Sequence, residues 1–241
     1  MITDHFLVTD QVAIVTGAGR GIGRATALAL AEAGANLIIS ARTQDQLDEV
    51  AQQVARFGRR AVPVPADLSD LSTLPTLVER ATAEFGRLDI VVNNVGGSFP
   101  RPLLETSPAM FEKAFHFNVT TALELSKAAI PAMLASDPAG GSIVNISSAI
   151  GRLTDRGFAA YGTAKGALTH LTRLMATECA PRVRVNAIAV GSTATSALDM
   201  VLADDNLRTT METNTPLRRL GEPLDIALGV LYLCSPAGSY L

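Results

Sequence analysis

Residues 12–23 read Val12-Ala13-Ile14-Val15-Thr16-Gly17-Ala18-Gly19-Arg20-Gly21-Ile22-Gly23. Val12 to Thr16 is a short, largely β-branched run of strand character. An Ala/Leu-rich stretch of helical period follows from about Ile22 to Ala33 and is stopped by Gly34. Between them the glycines fall as T-G-x-x-x-G-x-G, not as a strict G-x-G-x-x-G. A glycine at Gly17 makes the tight turn out of a strand. At Gly21 the missing Cβ lets backbone N–H groups approach a pyrophosphate, and at Gly23 it allows close helix–strand packing. A strand before and a helix after supply the context that such a loop demands.

The same alternation continues outward. Leu37 to Ser40 reads as a second strand, Gln44 to Phe57 as an amphipathic helix, and Ala61 to Val64 as a weaker strand broken by Pro63 and Pro65. A helix from Leu71 to Phe85 precedes the strand Leu88 to Val92. A long apolar helix spans about Pro108 to Leu134, and a further helix from Gly157 to Cys179 lies between strands Ser142–Ile146 and Val183–Ala187. Strands alternating with long helices predict an α/β fold: a doubly wound, Rossmann-type parallel sheet with helices on both faces. There are no repeats and no linker, so residues 1–241 read as a single domain.

Composition narrows the function. The 241 residues carry 20 Lys+Arg against 23 Asp+Glu, a net charge of −3, and 48% are hydrophobic. Without a basic block the chain is a poor nucleic-acid binder. No apolar run is long enough to span a membrane, and MITDHFLVTD lacks the form of a secretory signal. Cys179 and Cys234 form no disulfide framework, which fits the cytoplasm, and His5, His116 and His170 are too scattered for a metal site. The charged fraction, 18%, is below the ~25% usual for soluble domains.

Two further features carry chemistry. The second strand ends Ser40-Ala41-Arg42, with no acid to bond a ribose 2′-hydroxyl. Arg42 and Arg20 instead offer two guanidiniums for a 2′-phosphate, which predicts NADP in preference to NAD. Tyr161 and Lys165 sit four apart in YGTAK, one helical turn, and Ser148 lies upstream just after an apolar strand. A lysine cation beside the phenol is expected to lower its pKa for proton exchange with an alcohol or ketone, and the serine hydroxyl can hold the substrate oxygen.

In these motifs the chain resembles the short-chain dehydrogenase/reductase family. The likeness rests on TGxxxGxG at Thr16 to Gly23, Asn93-Asn94-Val95-Gly96, Asn118, Ser148 and the Y-x-x-x-K of Tyr161 to Lys165. The resemblance implies a general acid/base at Tyr161 and substrate orientation by Ser148. It implies a ribose contact and pKa tuning by Lys165, and a proton-relaying water at Asn118. It further implies a coenzyme site along Gly17, Gly19, Arg20, Gly21, Ile22, Gly23, Arg42, Asp67, Leu68, Asn94, Gly96, Gly191, Thr193 and Thr195, as well as Tyr161 and Lys165. Asp67 would contact the adenine. Ser147, one residue out of register, reads as structural.

The segment Asn186 to Thr195 departs from the family, with Val190 where a proline is usual and Thr193 where an aliphatic residue is common. The resemblance also implies one more strand beyond Leu241, without which a sheet edge is bare. Residues of about 191–220 form the expected substrate loop, mobile when empty. For the substrate, Gly96 to Pro102 and Thr215 to Ala227 resemble bacterial 7α-hydroxysteroid dehydrogenases, which predicts a secondary alcohol/ketone such as a hydroxysteroid. A 3-oxoacyl-acyl-carrier-protein reductase is the alternative. A non-catalytic nucleotide-binding protein is the alternative of another class. A mouth lined by Phe99, Leu153 and Phe158 speaks against a sugar alcohol. The Ala/Leu/Met-rich helices imply, by the same resemblance, a homodimer or homotetramer.

Overall fold

The computed structural model describes residues 1–97, 99–198 and 202–241. Six strands, β1 (Val12–Thr16), β2 (Asn36–Ala41), β3 (Ala61–Pro65), β4 (Ile90–Asn93), β5 (Gly141–Ser148) and β6 (Val183–Val190), form one sheet in the order β3-β2-β1-β4-β5-β6. Every pairing is parallel. The order reverses between β1 and β4, and that switch point opens a crevice at the strands' carboxyl ends.

Alternation along each strand divides the core in two. Ala13 and Val15 of β1 join Leu37 and Ile39 of β2 on one face. That face is covered by α1 (Gly21–Glu32), α2 (Gln44–Ala55) and, nearer the end of the chain, a helix at Pro223–Cys234. Val12 and Ile14 face the other way with Ile38, Val91 and Ile143. There the cover is α3 (Leu74–Phe85), α5 (Thr121–Ala135) and α6 (Ala159–Cys179), with α4 (Pro108–Phe115) preceding α5. Two helices complete the numbering, α7 (Asp205–Asn214) and α8, the one at Pro223–Cys234. The strands are buried on both faces, hence their continuously apolar sequences.

Three expectations are corrected. Pro63 and Pro65 do not break β3; it is an edge strand, paired only with β2, where a missing N–H is tolerated. The stretch from Leu71 begins as a 3₁₀ turn, Leu71–Thr73, capped by the Asp70 carboxylate, which accepts from the Ser72 N–H. The long helix is not uniform: α4 and α5 are joined by a π-helical turn, His116–Thr120, and this widened turn holds Asn118. Such bulges recur at functional sites.

Beyond β6 the chain leaves the sheet and returns. Ala194 N–H donates to the Gly221 carbonyl at 2.7 Å, and Gly221 N–H donates to Ser192 at 2.9 Å. Thr193 and Gly221 form a parallel bridge. The expected substrate loop is therefore fastened at its neck. Its expected mobility falls partly on residues 199–201, which lie outside the described residues, as does Ser98 in the loop after β4.

Candidate active site

The sequence-predicted residues all gather at the carboxyl edge of the sheet. Gly17 and Gly21 adopt φ of +65° and +55°, which glycine alone tolerates freely. A Cβ on Gly23 would lie 2.2 Å from the Gly17 carbonyl oxygen, so helix and strand meet here only without one. No side chain caps α1 at Arg20, and its first amides are left for an anion. These features fit a dinucleotide pyrophosphate. Thr195 reaches over the loop, its methyl 3.4 Å from where a Gly21 Cβ would stand, and Ala41 closes on Gly19 in the same way.

The loop is held from behind. Thr16 Oγ1 donates to the Val92 carbonyl and accepts from the Asn94 and Val95 amides. Asn94 Nδ2 donates to the Thr16 carbonyl at 2.9 Å. Asn94 thus acts first as a strut between β1 and β4. Asp67 accepts from the Ser69 amide and hydroxyl, which hold its carboxyl below the ordinary range, with Arg42 adding to the effect. Leu68 is buried in the core beside it. Thr193 turns its hydroxyl inward, donating to the Gly191 carbonyl at 3.2 Å.

Ser148 ends β5, and Tyr161 opens α6. Ser148 lies close enough to act on the Tyr161 phenol, and Lys165 follows one turn later with Nζ 5.8 Å from the tyrosine ring centroid. Lys165 is 3% exposed and donates to the Ile146 carbonyl at 2.8 Å. Its Nζ lies 2.7 Å from where a Gly96 Cβ would stand, as does Asn118 Oδ1, so Gly96 makes room for both. The expected lowering of the Tyr161 pKa by Lys165 is not seen. Burial, in part beside the Phe158 ring at 6.2 Å, pushes the phenol up, and only the nearby Ser148 hydroxyl works against it.

Burial also holds the Lys165 ammonium down to about 8. The folded value lies below the unfolded one, so between them the unfolded chain binds the extra proton and stability rises with pH. Relative to Lys165→Met, wild type is expected to gain stability from about pH 8 to 10.5, at ~1.4 kcal/mol per tenfold difference in proton affinity. Urea midpoints at neutral and alkaline pH measure this, and parallel curves for the two proteins would contradict it.

Asn118 is fully buried. Its Nδ2 donates to the Gly97 and Ala114 carbonyls at 3.0 and 2.8 Å, and Oδ1 accepts from the Gly97 amide at 2.9 Å. The side chain ties the loop after β4 to the π-turn. Ser147 is structural, bonded to the Lys165 carbonyl and Thr169.

Two arrangements have no signal in the sequence. His116 Nε2 donates to the Ser69 carbonyl at 2.8 Å, joining the π-turn to the Asp67 loop. Under the catalytic helices, Asn93 bridges Ser126 of α5 and Asn145 of β5, and Asn145 continues to Thr172 of α6. This buried chain sets α5 and α6 at a fixed distance through the sheet.

A glycine cradle at the switch point with a serine, a tyrosine and a lysine facing it is the arrangement of one enzyme family, and comparison bears this out. A family profile described as "Enoyl-(Acyl carrier protein) reductase" matches residues 17–241. An uncharacterized oxidoreductase of Mycobacterium tuberculosis is 57% identical over 241 residues, all of this chain and 91% of that one. The chain belongs to the short-chain dehydrogenase/reductase family. The 7alpha-hydroxysteroid dehydrogenase of Escherichia coli (strain K12) is 35% identical over 240 residues, covering 99% of this chain and 92% of its own. A solved 7 alpha-hydroxysteroid dehydrogenase, complexed with NADH and 7-oxo glycochenodeoxycholic acid, superposes with a TM-score of 0.94 at 35% identity. It covers 99% of this chain and 92% of that one. Members of the family are NAD(P)-binding oxidoreductases acting on small molecules. Among the described residues no helix is long and apolar enough to cross a membrane, and no acidic, histidine or cysteine group could hold a metal.

Proposed function

We propose that this protein is an NADP(H)-dependent oxidoreductase of a secondary alcohol/ketone pair, with a hydroxysteroid as the favoured substrate. It is read as one domain over residues 1–241 with its substrate loop at 191–220. One observation carries the reading: Tyr161, beside Ser148, stands one turn from a buried Lys165 next to the glycine cradle. The bound coenzyme supplies or accepts the hydride. Ser148 holds the substrate oxygen, and Tyr161 gives its proton to the carbonyl in reduction or takes it from the alcohol in oxidation. A phenol kept protonated by burial is poised for reduction. Lys165 has further N–H donors beyond the one to Ile146, available to the coenzyme ribose. Asn118 fixes the loop beside which a relaying water would sit.

For the coenzyme, β2 ends without an acid, and Arg20 and Arg42 form no ion pair among the described residues. The related hydroxysteroid dehydrogenase carries NADH, so the preference for NADP rests on this chain's own arginines. Converting both to serine is expected to lower the NADPH-to-NADH ratio of kcat/KM by about tenfold or more, as loss of guanidinium–phosphate bonds requires. An unchanged ratio would refute the assignment.

The substrate reading is tested by NADPH oxidation with a 7-oxo steroid and with an acetoacetyl thioester. The thioester as the better substrate would favour a 3-oxoacyl-acyl-carrier-protein reductase, and turnover of neither would favour a non-catalytic nucleotide-binding protein. Exposed Met110, Phe111 and Phe115 on α4 and Leu174 on α6 support burial in a homodimer or homotetramer. Free Cys179 and Cys234 support a cytoplasmic setting.

A further inference from the structure

Several arginines in this acidic chain have a carboxylate. Arg59 pairs with Asp10, Arg60 and Arg80 with Glu84, Arg87 with Asp89, Arg208 with Glu212 and Arg219 with Asp225. Two that do not are placed beside the site. Arg152 and Arg156 lie on the exposed loop between Ser148 and Tyr161, and neither forms an ion pair among the described residues. Asp155 stands between them, yet its carboxylate accepts from the Arg156 amide at 2.7 Å and pairs with neither guanidinium.

This loop is fixed to the one after β4. Arg101 N–H donates to the Gly157 carbonyl at 2.8 Å. The Arg101 side chain makes only a loose, solvent-exposed pair with Glu105, at 3.6 Å, and such pairs contribute little. The joined loops also present Leu153, 67% exposed, and Phe99, 94% exposed. The joined loops therefore combine apolar surface with the Arg152 and Arg156 guanidiniums, which no carboxylate among the described residues pairs, on the segment that links Ser148 to Tyr161.

We propose that Arg152 and Arg156, with Arg101 beside them, bind the carboxylate of an amphipathic oxo- or hydroxy-acid whose reacting carbon lies at Tyr161. The substrate class is thus an apolar ring or chain bearing an anionic tail remote from its carbonyl. The planar guanidinium fork suits a carboxylate, and the apolar residues cover the body between the two ends. This inference rests on the proposed hydride-transfer reading, and its test separates the two.

The probes are 7-oxolithocholate and 4-oxocyclohexanecarboxylate, each beside its own methyl ester, with NADPH. At least one acid is expected to exceed its ester in kcat/KM by about tenfold, the effect of one good charge-assisted contact, and to lose that advantage in high salt. In Arg152→Ser/Arg156→Ser the acid-to-ester ratio should fall to about one. Arg182→Ser, which removes an arginine remote from the mouth in sequence, should keep the ratio. Equal turnover of acids and esters, or a ratio unmoved in the double variant, overturns the inference while leaving hydride transfer intact. Preference for an acetoacetyl carrier protein over acetoacetyl-pantetheine, lost in the double variant, overturns it in favour of an acidic protein partner. Turnover of no ketone overturns both.

Discussion

Tyr161→Phe is expected to lower kcat for ketone reduction by about three orders of magnitude, within the range for loss of a positioned acid/base. NADPH affinity should stay nearly constant. The substitution removes one oxygen from a ring that is packed beside Phe158, so the volume of the site is kept. Ser148 stays held, its hydroxyl accepting from the Ile150 amide and donating to the Val190 carbonyl, each at 3.4 Å. Lys165 keeps its bond to Ile146. The damage is therefore confined to the proton. Steady-state rates and a fluorescence titration of NADPH on the same preparation separate the two effects. Retained turnover would remove Tyr161 from the mechanism.

Gly23→Ala is expected to weaken coenzyme binding by about a hundredfold and to destabilise the fold. The added methyl would stand 2.2 Å from the Gly17 oxygen and 2.7 Å from the Gly17 carbonyl carbon and Asn94 Nδ2. Two of these are backbone atoms in a turn already at positive φ, so nothing flexible can yield. Overpacking of this kind costs about 1–3 kcal/mol, and relief would need α1 to move away from β1. Such a shift withdraws the amides of α1 from the pyrophosphate, with affinity falling about a hundredfold for 3 kcal/mol. Gly191→Ala provides the contrast, since its Cβ would meet nothing within 4 Å. A thermal melt and an NADPH titration of both variants decide it. Normal binding by Gly23→Ala would mean that the loop holds no phosphate.

Much of this was legible in the chain because the decisive signals are local. Val12 to Gly23 carries strand, turn and helix within one stretch, and Tyr161 and Lys165 need only one helical turn to meet. What was not legible depends on distant pieces. The π-turn at His116–Thr120 has an ordinary helical composition, and its tie to Ser69 spans 47 positions. Asn93 and Asn145 meet only because β4 lies beside β5 in register. The direction of the Tyr161 shift was misread for the same reason: spacing revealed the lysine, but burial is a property of the assembled site. Pro63 and Pro65 misled by composition, since only strand order shows that β3 is an edge.

The fastened neck at Ser192–Ala194 and Gly221 has a consequence for how such a protein diversifies. With both ends of the excursion bonded to each other, the sheet is shielded from changes in the stretch beyond Thr195, which itself packs over Gly21. Closure entropy grows slowly with loop length, about 0.6 kcal/mol per doubling. The stretch beyond Thr195 is therefore expected to tolerate changes of length without refolding the core.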